Sequence, residues 1–131
     1  MIRHELRTRT RNEFVEVTEH VRRAIRDAKR PISAVFVSSP HTTAGVTIQE
    51  NADPDVVHDL LLWLDDRIPQ HEKGFRHSEG NSDSHLKTML VGTSVTVPVE
   101  NGELVLGTWQ GIYFCEFDGP RTRTVHITLL S

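Results

Sequence analysis

The feature that most restricts the fold is the C-terminal part of the sequence, where short apolar runs alternate with turn residues. Asn101-Gly102 between two such runs favours a two-residue β-hairpin. Asp118-Gly119-Pro120 predicts a second turn. Because short turns join antiparallel neighbours, we expect antiparallel strands here. The predicted strands are 94–99, 104–107, 111–117 and 123–130.

The rest of the chain mixes strand and helix patterns. Residues 2–8 alternate apolar and polar side chains with period two, which predicts a half-buried strand. Asp53-Pro54 predicts a helix start. The carboxylate can accept hydrogen bonds from the unpaired amides of the first helical turn, and proline has no amide hydrogen that would be left unpaired there. The sequence therefore predicts one α+β domain over 1–131, compact and β-rich, with a mostly antiparallel sheet and three helices. The remaining predictions are strands at 13–17, 32–38 and 42–49, and helices over 19–29 capped by Thr18, from Asp53 to about Ile68, and from a Ser82 cap.

Composition limits the classes of function. Fifteen basic and eighteen acidic residues give a net charge of -3, so we expect no nucleic-acid partner. The apolar runs are far shorter than the roughly 20 residues of a membrane span, and the N-terminus lacks the apolar core of a signal peptide. We therefore expect a cytoplasmic protein without a membrane partner. A single cysteine, which cannot form an internal disulfide, agrees with that location.

Eight histidines in 131 residues indicate metal chemistry. His77 and His85 flank a Gly-Asn turn, and His85 lies near a predicted helix start, where the helix field favours a neutral imidazole able to bind a metal. His41 lies at the junction of two predicted strands, and Asp83 is an oxygen ligand or an orienter of histidine. Together the three histidines are compatible with an open metal site. The plainer interpretation is a loop histidine, a capping histidine and a structural one.

A second candidate site is Trp109-Gln110, which stands between two glycines. An exposed indole stacks on a flat heterocycle, while the amide binds its edge; the alternative is a β-bulge with a core tryptophan. Arg121 follows a turn and suits a phosphate clamp, although a surface ion pair is the usual role of such a residue. Glu50 ends a strand before a helix, where it is either a cap or a ligand for metal or substrate.

Long blocks of the sequence resemble a known family. The blocks are SPHTTAGVTIQENADPDV and EGNSDSHLKTMLVGTSVTVPVENGELVLGTWQGIYFCEFDGPRTR, and the similarity covers nearly the whole chain from Thr8 onward. They resemble the YjbQ-like family of secondary thiamine-phosphate synthases. The resemblance implies a β-rich α+β fold, assembly as a homotrimer, and weak synthase activity that joins hydroxymethylpyrimidine diphosphate to a thiazole phosphate with release of diphosphate.

The resemblance also implies a set of site residues, because nine residues recur in the family's blocks: His41, Glu50, His77, Asn81, Asp83, His85, Trp109, Gln110 and Arg121. Their roles, and the addition of Lys87, are assigned from the chemistry of the side chains. We expect a divalent metal, zinc or magnesium, and a small phosphorylated substrate. In this assignment His41, His77 and His85 bind the metal, Glu50, Asp83 and Arg121 act in catalysis, and Asn81, Lys87, Trp109, Gln110 and Arg121 bind the substrate.

Two other functions fit the same residues. A metal-dependent hydrolase would use the same histidines to activate a water molecule against a phosphate or an amide. A non-catalytic trimer would only bind a small anion or a metal. Leu62 lies opposite the apolar stripe of its predicted helix, which favours a second subunit as its cover.

Overall fold

A computed structural model of the chain describes residues 1–131. It contains eight strands and three helices, so the predicted α+β class is confirmed. In chain order they are β1 (Ile2–Arg7), β2 (Glu13–Glu16), α1 (Thr18–Ala28), β3 (Ala34–Ser38), β4 (Ala44–Glu50), α2 (Pro54–Arg67), α3 (Ser82–Val91), β5 (Ser94–Glu100), β6 (Glu103–Leu104), β7 (Gln110–Glu116) and β8 (Thr122–Leu130).

The strands form two sheets. The larger has the order β1-β8-β3-β5-β6 and the smaller the order β2-β7-β4. Every strand pair is antiparallel, as the short turns predicted. The strand predicted at 104–107 is shorter in the structure, because β6 pairs with β5 at only two positions.

The main core lies between the two sheets and is closed by α1. Strand residues alternate between the two faces of a sheet, so every second apolar residue points into this core. Full burial of each such side chain contributes about 1.5–3 kcal/mol. Its members include Val35, Val37, Val125 and Ile127 from the larger sheet, Val46, Ile112 and Phe114 from the smaller, and Val21 and Ile25 from α1.

A second core covers the outer face of the smaller sheet. Tyr113 and Cys115 of that sheet, and Phe117 just beyond β7, pack with Leu64 of α2 and the partly buried Val91 of α3. The Cys115 thiol is fully buried, as predicted for a core thiol, and burial raises its pKa. None of the three helices is both long and apolar enough to cross a membrane.

Two of the predicted local signals are confirmed by geometry. The Asp53 carboxylate accepts the Asp55 amide at 2.9 Å and begins α2. Asn101 and Gly102 both have positive φ, 51° and 78°, as a two-residue hairpin turn requires.

The predicted cap of α1 is wrong. Thr18 is the first helical residue, and the N-cap position belongs to Val17. The Thr18 hydroxyl donates to the Glu16 carboxylate at 2.8 Å and accepts the Ile112 amide at 2.9 Å, so it is not available to cap the helix. A tertiary contact with β7 has replaced the local one.

Candidate functional site

His41 and His85 are brought together in an open cleft of about 410 Å³ between the β3–β4 junction and α3. Thr42, Thr88 and Thr93 also line it. The Thr88 hydroxyl is buried and has no hydrogen-bond partner within the chain. A buried polar atom without a partner costs free energy, and this hydroxyl is enclosed beside the cleft and not presented on its surface.

The surroundings of His41 keep its imidazole neutral. The Thr124 amide donates to Nε2 at 3.0 Å, which places the ring proton on Nδ1. Burial, and then the positive charge of Arg123, lower the pKa of His41. His41, which lines the cleft, is therefore neutral at pH 7 and carries its proton on Nδ1.

His77 and His85 form a pair whose ring centroids are 5.6 Å apart in a T-shaped arrangement. Both line a second open cleft of about 530 Å³ together with Phe75 and Ser82. His85 belongs to both clefts, so the two clefts adjoin at this residue. The predicted histidines thus lie along one continuous stretch of surface.

A metal held by all three histidines remains a prediction. No three His, Cys, Asp or Glu side chains of the chain are close enough together to hold one ion. His77 and His85 fit as a two-ligand site, whereas His41 meets His85 only across the first cleft.

Asp83 lies beneath the clefts and is fully buried. Arg11 binds both of its oxygens, at 2.8 and 3.0 Å, and the Lys87 ammonium is 3.5 Å away. Burial alone would raise the pKa of Asp83, but the hydrogen bonds and charge of Arg11 outweigh it and hold the pKa below its usual value. Asp83 is therefore ionised, and both of its carboxylate oxygens are bound by Arg11.

Lys87, predicted to bind substrate, is also enclosed. Its side chain is only 1% exposed, and its ammonium donates to Asp65 at 3.1 Å and to Asn12 at 3.3 Å. It lines neither cleft. Its position makes it a link between α2, α3 and the turn before β2.

Asn81 and Arg121 meet at one carboxylate. The Asn81 side-chain amide donates to Asp118 at 2.8 Å, and Arg121 Nη2 donates to the same oxygen at 3.0 Å. The Asn81 Oδ1 atom is buried without a partner, and Arg121 is half exposed. Asn81 occupies the N-cap position of α3, so the predicted Ser82 cap is wrong by one residue, and the Asn81 side chain binds Asp118 instead of a helix amide.

Sequence reasoning missed a buried ion pair that supports this region. Arg123 Nε donates to both oxygens of Glu116, at 2.9 and 3.0 Å, and Arg123 Nη2 donates to the Thr43 hydroxyl at 2.8 Å. The Thr8 hydroxyl donates to Glu116 at 2.7 Å. The available signal was a single carboxylate at the end of the apolar run 111–117, with an arginine just beyond the next turn.

The remaining predicted residues lie at the opposite end of the smaller sheet. Glu50 pairs with Gln110 at one end, whereas Ala44 pairs with Glu116 at the other. At ~3.3 Å per residue these ends are about 20 Å apart. The Glu50 carboxylate accepts the Asp53 amide at 3.2 Å and the Gln110 side chain accepts the Gly107 amide at 2.8 Å.

Trp109, next to this pair, is 61% exposed, so the alternative of a core tryptophan is wrong. Its backbone carbonyl accepts the Asn51 amide at 2.9 Å, which fixes the loop at the end of β4. An exposed indole on a fixed loop is suited to stacking against a ring.

Comparison with known proteins covers the whole chain. The sequence model of the family described as "UPF0047 protein YjbQ-like" matches residues 2–131. YugU of Bacillus subtilis is 48% identical over 96% of this chain and 96% of its own. MJ1081 of Methanocaldococcus jannaschii is 44% identical over 99% of this chain and 94% of its own.

Solved structures of similar proteins share this fold. An uncharacterized protein of Clostridium acetobutylicum superposes with a TM-score of 0.96 at 45% identity, covering 99% of this chain and 100% of its own. TT1486 of Thermus thermophilus superposes with a TM-score of 0.91 at 42% identity, with the same coverage. These proteins are described by family or as conserved proteins, without an activity. Sequence and structure together show that the chain belongs to the UPF0047, or YjbQ-like, family.

Proposed function

We propose that this protein is a weak thiamine-phosphate synthase that acts as a homotrimer and joins hydroxymethylpyrimidine diphosphate to a thiazole phosphate. The observation that carries the proposal is the pair of clefts that adjoin at His85. They present His41 and His85, and the half-exposed cation Arg121, which lines neither cleft, lies close enough to His41 to lower its pKa. Such a surface suits a phosphorylated ring compound. The resemblance of the two sequence blocks to the YjbQ-like family supports the same assignment.

The reaction requires little covalent chemistry from the protein. The bond between the pyrimidine methylene carbon and the diphosphate oxygen breaks, and its electron pair leaves with diphosphate. The thiazole nitrogen then supplies the electron pair of the new carbon–nitrogen bond. Catalysis of such a step consists of holding the two substrates together and stabilising the charge on the leaving group.

Arg121 is the group in this proposal that binds the leaving diphosphate. Asp118 holds its Nε through a backbone carbonyl at 2.8 Å and its Nη2 through the carboxylate at 3.0 Å, which fixes the guanidinium plane. Nη1 remains free to donate to a phosphate oxygen. His41, through Nδ1–H, and His85 add further donors along the clefts. A divalent ion on His77 and His85 would supply additional positive charge, and no step here depends on it.

Trp109 and Gln110 can contact the substrate only if the protein is a trimer. They lie about 20 Å from the histidine end of the sheet, beyond the reach of one small substrate bound at His85. Their proposed contact with the substrate ring is therefore made across the interface by a neighbouring subunit.

A metal-dependent hydrolase is the second candidate, favoured by the 5.6 Å separation of His77 and His85. In that reaction a metal-bound water would attack a phosphoester or an amide. Purified protein should be assayed with the pyrimidine diphosphate plus thiazole phosphate, and separately with a panel of phosphoesters and amides. Turnover of the panel alone would replace the synthase by the hydrolase. No turnover of either, with tight retention of a ligand, would indicate a non-catalytic binder.

A histidine panel tests the site itself. We expect His41→Ala, His77→Ala and His85→Ala each to lower the synthase rate by about tenfold or more, the equivalent of about 1.4 kcal/mol of transition-state stabilisation. The matched controls are His58→Ala, 69% exposed on α2, and His126→Ala on the outer face of the larger sheet, and neither should change the rate.

Bound metal per chain is measured for the same five variants, with circular dichroism to verify folding. Loss of both metal and activity in His77→Ala and His85→Ala assigns these two residues as ligands. His41→Ala should keep its metal, because Nε2 accepts the Thr124 amide and Nδ1 carries the proton, which leaves no free lone pair. Loss of activity with metal retained assigns them to hydrogen bonding or proton transfer. Activity equal to that of the two controls would rule out this site.

A further inference from the structure

A separate concave site lies at the C-terminal end of α1, away from the histidines. It has a volume of about 430 Å³ and lies between α1, the start of β3 and the β5–β6 turn. Three basic side chains, Arg26, Lys29 and Arg30, line it. Lys29 follows the helix in the left-handed conformation, with φ 51°, and thereby turns the chain along the rim of the site.

The charge of this site is not neutralised. Five of the fifteen basic residues fall within 22–30, although the whole chain carries a net charge of -3. Arg26, Lys29 and Arg30 have no carboxylate within 4.0 Å, and Arg30 Nη1 donates to the Ser131 hydroxyl, whereas Arg11, Lys87, Arg121 and Arg123 are all paired with carboxylates. Stabilisation of a helix end accounts for a cation there, but not for three around a concavity.

The β5–β6 turn adds uncharged donors. Asn101 and Gly102 line the site, and their backbone amides make no hydrogen bond within the chain. Both residues are exposed, and both have positive φ. Free amides beside arginine and lysine side chains form a recurrent binding arrangement for phosphate oxygens.

The floor of the site is apolar. Ile25 and Ile32 are buried and line it beneath the basic rim, together with Pro31. Its volume falls in the range of small-molecule sites. We propose that this site binds a small phosphorylated molecule with two or more phosphate groups, whose apolar part rests on Ile25 and Ile32.

Tripolyphosphate, with inorganic phosphate for comparison, is a suitable probe of the phosphate subsite. Titrated into the ¹⁵N-labelled full chain at pH 7 and about 150 mM salt, where charges more than about 8 Å apart are screened, tripolyphosphate should shift the Asn101 and Gly102 amide resonances to saturation. It should bind about tenfold more tightly than phosphate, because it engages several donors at once. Binding of phosphate at the histidine clefts would not shift these two amides, so the readout is specific to this site.

A charge-matched pair of variants provides the control. The double variant Arg26→Gln, Lys29→Gln should weaken tripolyphosphate binding by about tenfold or more. The double variant Arg3→Gln, Arg7→Gln removes the same charge from exposed positions on β1 and should stay within about twofold of the original chain.

Linear, non-saturating amide shifts would overturn the proposal, as would equal weakening in both double variants. A short single-stranded oligonucleotide that bound more tightly than tripolyphosphate would also overturn it, and would assign the basic end of α1 to nucleic acid. If the Arg26, Lys29 variant did not fold, the saturation curve of the unmodified chain would still decide the question.

Discussion

The Glu116–Arg123 pair is the residue-scale contact with the largest consequence for stability. Both side chains are almost completely buried, at 0% and 3% exposure. Burial alone would raise the pKa of Glu116, but hydrogen bonds from Arg123 and Thr8 outweigh burial and lower it. Glu116 is therefore ionised at pH 7. The pair joins the start of β8 to the end of β7 directly behind His41, which makes it the support of the first cleft.

We expect Glu116→Gln to lower the free energy of unfolding by about 3–5 kcal/mol, because Arg123 would remain as a buried charge without its partner. Urea unfolding at pH 7 measures the change. Glu103→Gln, on exposed β6, is the control and should stay within about 0.5 kcal/mol. A loss smaller than about 1 kcal/mol for Glu116→Gln would mean that water reaches Arg123 in the folded protein.

Residue types at the site were predictable, whereas their partners were not. Histidine and arginine at turns and junctions are visible in the sequence, and His41, His77 and His85 lie along adjoining clefts. The ion pair between Asp83 and Arg11 joins residues 72 positions apart, and no local sequence pattern predicts such a contact. Glu116 was overlooked because a carboxylate at the end of an apolar run resembles a strand terminus until its buried partner is known.

At the scale of elements, a pair of histidines joins β1 to α1. The rings of His4 and His20 lie 3.8 Å apart between centroids. Burial, then the charges of His20 and Arg23, lower the pKa of His4. The unfolded chain, in which histidine titrates near about 6.5, therefore binds more protons than the folded chain just below that pH. The stabilising contribution is complete above about pH 6.5 and is lost as the pH falls towards the lower pKa of the folded state.

We accordingly expect the free energy of unfolding to decrease between about pH 7.5 and 5.5, with a shallower decrease in His4→Gln. Denaturant unfolding at several pH values measures both slopes. His58→Gln is the control, because His58 is exposed on α2 and should leave the slope unchanged. His41, whose pKa is also lowered, will keep part of the slope in the His4 variant. An identical slope for His4→Gln and the original chain would contradict the assignment.

The contact between β4 and the end of α3 depends on a glycine. A Cβ atom added at Gly45 would overlap the backbone carbonyl oxygen of Gly92, which also accepts the Val46 amide at 3.1 Å. We expect Gly45→Ala to cost about 1–3 kcal/mol, because backbone cannot move aside as a side chain can. Gly107→Ala is the matched control, since its new Cβ meets only the flexible Gln110 side chain, at 3.3 Å. Thermal melting of both variants provides the comparison; equal melting temperatures would show that α3 shifts freely.

The type and approximate length of most elements followed from periodicity, but two helix starts did not. Asp53 caps α2 as predicted because its carboxylate has no stronger partner than the Asp55 amide. Thr18 was predicted to cap α1, but its side chain is engaged by Glu16; Ser82 was predicted to cap α3, but the N-cap position belongs to Asn81, whose side chain binds Asp118. A cap is therefore predictable from sequence only where the tertiary structure leaves the capping side chain free.

At the scale of the whole molecule, the candidate site residues predicted from the sequence do not lie together, because the fold places them at two different ends of one sheet. Hairpin signals identify neighbouring strands such as β5 and β6, whereas the pairing of β2 with β7 joins distant segments. One sheet therefore presents the histidine clefts at one end and Trp109 at the other. If both ends contribute to one reaction, a second copy of the chain must bring them together.

The helix layer exposes an apolar surface, which we propose as the contact in such an assembly. Leu62 and Trp63 of α2 and Met89 and Leu90 of α3 are between 49% and 74% exposed, and Trp63 and Leu90 line one shared groove. Apolar side chains clustered in this way mark contact surfaces on soluble proteins.

We expect light scattering at micromolar concentration to give three times the chain mass. We also expect Leu62→Glu to shift the population towards monomer, because a carboxylate buried at the contact would be desolvated without a partner. Thr10→Glu places the same charge at an exposed position outside these helices and should leave the trimer intact. A monomeric original chain would exclude the trimer, and with it the proposed contribution of Trp109 to a neighbour's cleft. A trimer that persisted in Leu62→Glu would instead place the interface on another face of the molecule.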